Sequence, residues 1–161
     1  MLIKENDIHK FIVEYALLRR PNTVIQSNYL VGALINKRTA AMSKALGYQK
    51  GTPDLFFAFA TEDYHGLYIE VKTKAARLFT KKNVPYNEHV AQQVHQLRNL
   101  NNEGYLAVFA RGEKEGVEIF DYYHSLYKGD KNIEAPNVIT NYLDNIKNAD
   151  LSKYKTTLTY Y

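Results

Sequence analysis

Ile8, Phe11, Ile12, Tyr15 and Leu18 fall at i, i+3, i+4, i+7 and i+10, a spacing that winds onto one side of an α-helix. The expected helix covers residues 5–19 and stops before Arg20-Pro21, because a residue preceding proline is steered out of the helical region. Residues 24–34 begin extended. Residues 36–46 again read as a helix, closed by Gly47 at a natural C-terminal cap position. The period then changes. Residues 54–60 (DLFFAFA) form a continuous apolar run, read as a strand apolar on both faces. Residues 66–72 (GLYIEVK) alternate, so Leu67, Ile69 and Val71 share one face and Tyr68, Glu70 and Lys72 the other. Only the polar turn TEDYH separates the two runs, which are therefore expected to pair as antiparallel strands.

A basic loop over residues 74–82 leads through Pro85 to a helix over 87–102, with Asn87 as its N-cap and Val90, Val94, Leu97 and Leu100 as its apolar stripe. Residues 105–110 and 117–122 read as two further strands, and 138–146 as a final helix. The order α, (α), β, β, α, β, β, α predicts an α/β fold with a central mixed sheet flanked by helices. The four prolines punctuate the chain without marking a linker, and no repeat is visible. One domain over residues 1–161 is expected, which 161 residues with 45% hydrophobic side chains suffice to build.

Composition narrows the chemistry. There is no cysteine, so disulfides, thiolate nucleophiles and zinc fingers are excluded, and any side-chain metal ligand is a carboxylate or a histidine. Such a site suits a hard cation, Mg²⁺ or Mn²⁺. The longest apolar run, residues 55–60, is far short of the roughly 20 residues of a membrane helix. The N-terminal MLIKEND has no apolar signal core, and a cytoplasmic protein of a bacterium or a phage-infected cell is expected. Of the net charge of +4, the middle of the chain holds the surplus: residues 36–98 contain ten Lys and Arg against five Asp and Glu. That concentration suits a polyanion such as nucleic acid.

Three charged residues stand where a purely structural sequence would place something cheaper. Asp54 opens an apolar strand directly after Gly51-Thr52-Pro53, and Glu70 and Lys72 interrupt the end of the next. An antiparallel hairpin brings the start of its first strand beside the end of its second, so Asp54 and Glu70 are expected side by side. Two carboxylates in a partly desolvated pocket repel each other, and a divalent cation relieves both. Held by one or two carboxylates and a backbone carbonyl, Mg²⁺ would keep waters able to attack phosphorus. The plainer alternative is a cross-strand Glu70–Lys72 ion pair with Asp54 capping a turn. Two helices add polar groups near their apolar stripes: Glu5 lies at the edge of the first, and Gln93 falls between the directions of Leu97 and Leu100 on the later one, with Gln92 pointing away.

The string Gly51-Thr52-Pro53-Asp54, fifteen intervening residues and Glu70-Val71-Lys72 resembles the signature of PD-(D/E)XK nucleases. More narrowly, KGTPDLFFAFATEDYHGLYIEVKTKAARL followed by Gln93 on a helix and Gly104-Tyr105 is similar to the VRR-NUC group. The likeness covers roughly residues 5–111. The loop over 75–88 is longer than the family's link, and residues 113–161 match nothing in it, leaving 1–112 as a family-like, restriction-endonuclease-like core and 113–161 as a C-terminal extension. The resemblance implies that Asp54 and Glu70 bind metal, with the Val71 carbonyl as a further ligand and Glu5 as an acid from the first helix. It implies that Lys72 orients the attacking water and stabilises charge on the phosphate, and that Gln93 positions water, lysine or phosphate. The activity implied is Mg²⁺-dependent hydrolysis of branched DNA, such as a Holliday junction, by a homodimer that cuts two symmetric strands. A sequence-specific endonuclease and a non-catalytic DNA-binding or assembly module are the alternatives.

Lys37, Arg38, Lys50, Lys74, Arg77, Lys81 and Lys82 are candidate phosphate contacts, each with an equally ordinary role as a solvated surface cation. Of the five histidines, His89 and His95 are six apart on one helix, point in different directions and read as structural, whereas His9 lies one turn after Glu5, within reach of the site. Fourteen tyrosines without a tryptophan suit amphipathic core edges, base stacking or a dimer interface.

Overall fold

The computed structural model describes residues 4–28, 42, 45, 47, 49–130 and 132–158. The helix expected over 36–46, with Lys37 and Arg38, lies outside the described residues except for Met42 and Ala45; Gly47, at φ +93°, has the left-handed backbone expected of a cap.

Helix α1 (Glu5–Arg19) is ended by Arg20-Pro21 as expected. Strands β1 (Ile25–Ser27), β2 (Leu55–Phe57) and β3 (Leu67–Lys72) follow, then helix α2 (Glu88–Asn102) and strand β4 (Leu106–Arg111). The four strands form one mixed sheet in the order β1-β2-β3-β4. The first three are antiparallel neighbours, while β4 runs parallel to β3 after the α2 crossover. Asn87 caps α2, its side chain accepting the Val90 N–H at 2.9 Å.

Register assigns the faces. Leu55, Phe57, Leu67, Ile69 and Val71 share one face and are buried. Helix α1 and helix α3 (Gly112–Tyr127) cover it, with the Phe57 and Phe120 rings 5.3 Å apart. Full burial of such side chains contributes about 1.5–3 kcal/mol each. Helix α2 and helix α4 (Asn137–Asn148) cover the other face, where Phe109 meets Tyr142 at 6.0 Å. A 3-10 turn (Ser152–Tyr154) and the short helix α5 (Lys155–Leu158) follow. Ile119, Phe120, Ile139 and Ile146 join the same hydrophobic cluster as the sheet.

Three local expectations are corrected. Residues 117–122 are helical, part of α3: their β-branched and aromatic content reads as a strand, but Gly112, Gly116, Ile119, Phe120 and Tyr123 recur at helical spacing. Gly116 is there for packing, since a Cβ on it would collide with the Ile12 side chain of α1. Residues 54–60 are not apolar on both faces: Leu55, Phe57 and Phe59 are buried, Phe56 is half-buried against Tyr68, and Ala58 and Ala60 are exposed. In α1 the buried ridge is Ile8, Ile12 and Ala16, leaving Phe11 44% and Leu18 82% exposed, because the helix meets its neighbours along the i, i+4, i+8 row.

Candidate active site

The β2–β3 register, Leu55 opposite Ile69, carried back one residue, sets Asp54 against Glu70. Three contacts fix Asp54. Its Oδ2 accepts the Val71 N–H at 2.8 Å. Its carbonyl accepts the Asn28 N–H at 2.8 Å, and the Asn28 amide donates to the Pro53 carbonyl at 3.0 Å. Gly51 brings the preceding loop onto α2: at φ +78°, its missing Cβ would lie 2.7 Å from the backbone carbon and oxygen of Gln92.

Glu70 and Lys72 are buried at the carboxyl end of β3 and form an ion pair of 2.7 Å. Burial, and after it the Asp54 charge, push the Glu70 carboxyl up to about 8, against the pull of Lys72. Burial also raises Asp54, opposed by the Val71 N–H and Lys72. Burial works to lower the Lys72 ammonium, but the charge and hydrogen bond of Glu70, helped by Glu5 and Asp54, carry it upward, so it stays charged. A buried ion pair is seldom the most stable filling for a core. Perturbed groups meeting at one end of the sheet make this a candidate chemical site.

Helix α2 supplies the roof. Gln93 is buried, and its Nε2 donates to the Glu70 Oε1 that also receives Lys72. The same nitrogen stands 3.0 Å from His89 Nε2, so its second hydrogen goes to a neutral imidazole. Burial, then the Lys72 charge, hold His89 below its usual value. His89 therefore belongs to the site, correcting its reading as structural; its spacing of four from Gln93 was the available signal. Gln92 is corrected too: it is buried beneath the Gly51 loop and lies 3.5 Å from Glu88. The Gln93 Oε1 is buried and has no hydrogen-bond partner among the described residues.

Glu5, half-buried at the start of α1, acts electrostatically on Asp54, Glu70, Lys72 and His89. His9 is tied to Ser27 Oγ at 3.1 Å and is lowered by burial. His95 lies beside Asn99 at 3.3 Å, and His124 is buried between Phe120 and Tyr127. Lys50, Lys74, Arg77, Lys81 and Lys82 are exposed. Arg77 lies over the Tyr86 ring at 5.8 Å.

No three His, Asp or Glu side chains among the described residues are grouped as a ready metal cage. The donor set nevertheless fits Mg²⁺, which is held through one or two carboxylates and keeps several waters. Oδ2 of Asp54 and Oε1 of Glu70 carry the internal bonds, so Oδ1 and Oε2 are the oxygens a cation would take. Val71 is tied to the site by its N–H, and its carbonyl is the neighbouring backbone acceptor. The raised carboxyls and the orphaned Gln93 oxygen are what a cation and its water would relieve.

No helix among the described residues is long and apolar enough to cross a membrane. No family model matches the chain, and no curated protein matches it. A solved structure described as a VRR_NUC domain protein superposes with a TM-score of 0.58 at 23% identity, covering 77% of this chain and 90% of that one. The fold is thus VRR-NUC-like: an α/β mixed sheet of four strands flanked by helices.

Proposed function

We propose that the protein is a metal-dependent DNA endonuclease of the VRR-NUC branch of PD-(D/E)XK nucleases, hydrolysing phosphodiester bonds in branched DNA such as a Holliday junction. The observation that carries this reading is the facing pair Asp54 and Glu70, with Lys72 bonded to Glu70 and Gln93 bonded to the same oxygen. Asp54, Glu70 and the Val71 carbonyl would hold Mg²⁺, or Mn²⁺ in its place, with Glu5 adding negative charge nearby. Bound there, the cation supplies Lewis acidity and a more acidic water.

The chain's own groups do the rest. The Lys72 ammonium sets a second positive charge where the pentavalent phosphate gains negative charge. Gln93 Oε1 accepts a hydrogen from the attacking water and so orients its lone pair, while the Gln93 Nε2 holds Glu70 in place. His89 fixes the Gln93 amide. Lys50, Lys74, Arg77, Lys81 and Lys82, with Lys37 and Arg38, would follow the DNA backbone. Symmetric cutting of a four-way junction calls for two copies of the chain.

The test is incubation of purified protein with Mg²⁺ and labelled linear, flap, splayed and four-way DNA. Cleavage of the branched substrates, abolished by EDTA, is the expected result. Discrete bands on linear duplex would instead favour a sequence-specific enzyme. DNA binding without cleavage would favour an assembly module.

A further inference from the structure

A second feature opens at the same end of the sheet as the acids. Arg111 ends β4 in register with Lys72 on the parallel neighbour, so both side chains leave one face from backbones about 4.8 Å apart. Lys74 runs close by. Its alkyl stem lies over Gly112, where an added Cβ would meet Lys74 Cγ at 2.7 Å. Lys72 and Arg111 thus end neighbouring strands on one face, with Lys74 passing over Gly112, the residue after Arg111.

Arg111 also lines a cleft of about 590 Å³ between the start of α3 and α4, well within the roughly 300–1,000 Å³ of small-ligand sites. Arg111 and Glu115 form one wall, and Val138, Asn141, Asp144 and Asn145 the other. Tyr142 joins them: its hydroxyl accepts Arg111 Nε–H at 2.9 Å and donates to Glu115 Oε2 at 2.6 Å. Arg111 is therefore held in place, yet 42% of its side chain is exposed. A guanidinium already fixed loses little freedom when a ligand arrives.

We propose that this cleft receives an unpaired nucleobase of the DNA strand whose adjoining phosphate lies at the Asp54–Glu70 pair. Glu115 and Asp144 would repel a second phosphate, so the cleft is not an anion site. The Asn141 and Asn145 amides each carry donors and an acceptor, the complement of a base edge. The Arg111 guanidinium adds donors, and Val138 adds an apolar contact. A base within continuous duplex has its pairing edge covered and cannot enter. The inference rests on the nuclease reading for the path of the strand and adds a means by which frayed or branched DNA is told from duplex.

The test uses the full chain carrying Asp54→Asn, which should bind DNA without cutting it, in Mg²⁺. The probes are fluorescent splayed duplexes in which an abasic residue replaces each unpaired nucleotide near the branch in turn. One abasic position should lower affinity about tenfold. Adding Asn141→Ala and Asn145→Ala should cost a similar factor on the intact probe and make that abasic change silent, while thermal melting shows that the variant still folds. A 4-thiothymidine at the same position should photocrosslink to residues 137–148. Equal binding of all probes, an abasic effect undiminished in the double variant, crosslinks only elsewhere, or no DNA binding would each overturn the assignment. If the wild-type chain shows this base dependence but never cleaves, the nuclease reading fails and the cleft stands. If cleavage requires Asp54 while base dependence is missing, the cleft fails and the nuclease reading stands.

Discussion

Asp54 and Glu70 face each other across the β2–β3 pair, and the Val71 N–H that follows Glu70 donates to Asp54 Oδ2 at 2.8 Å. One backbone bond thus locks the first acid beside the second. Either strand sliding by one residue would turn its acid to the opposite face of the sheet.

Burial of Glu70, and after it the nearby Asp54 charge, costs stability in the metal-free protein. The folded-state pKa of Glu70, about 8, lies above its ordinary value, so its contribution is fully present below pH 4.5 and is lost as pH rises through 8. Glu70→Gln removes that titration. In metal-free buffer its melting temperature should exceed that of wild type by a margin that widens from pH 5 to pH 8, to several degrees. Mg²⁺ should close the gap by stabilising wild type alone. Parallel melting curves across that range would show that the carboxylate is not strained.

Gly51 has a stricter role than its place in a turn suggests. Gly51→Ala must take a left-handed backbone and push against the Gln92 peptide, at a cost of about 1–3 kcal/mol. Because the same loop aims Asp54, cleavage should fall along with stability. Chemical denaturation and a cleavage time course measured on one preparation check both.

Gln93→Ala removes the bonds to Glu70 and His89 and the acceptor for water. Cleavage should slow about 10- to 100-fold with DNA affinity little changed. His89→Ala, acting through Gln93, should have the smaller effect. Single-turnover rates beside binding isotherms separate the two quantities.

Much of this was legible because it is local. Alternation in residues 66–72 fixed which side of β3 carries Glu70 and Lys72, and the stripe of α2 singled out Gln93. The Asn87 cap and the Arg20-Pro21 stop were also readable. What escaped was set by distant partners. Gln92 is buried by a loop some forty residues away in sequence, a contact no helical wheel contains. Residues 117–122 become helical as part of a segment whose glycines at 112 and 116 look like turns until Ile12 packs against one of them. His89 was within reach of spacing alone, four residues before Gln93 on one helical face.

The exposed loop cations make a quantitative prediction. If Lys81 and Lys82 contact phosphates, the double change to alanine should reduce the slope of log affinity against log salt by about 1.8 on duplex arms. An unchanged slope would place the DNA elsewhere. Binding titrations at four or five salt concentrations provide the measurement.

The most direct measurement is the single-turnover cleavage rate of branched DNA by Asp54→Ala in saturating Mg²⁺, made on protein whose folding and DNA binding have been verified. A fall of about a thousandfold or more, to the level of wild type in EDTA, is predicted. Cleavage at the wild-type rate would contradict the assignment of the two facing carboxylates as the seat of the chemistry.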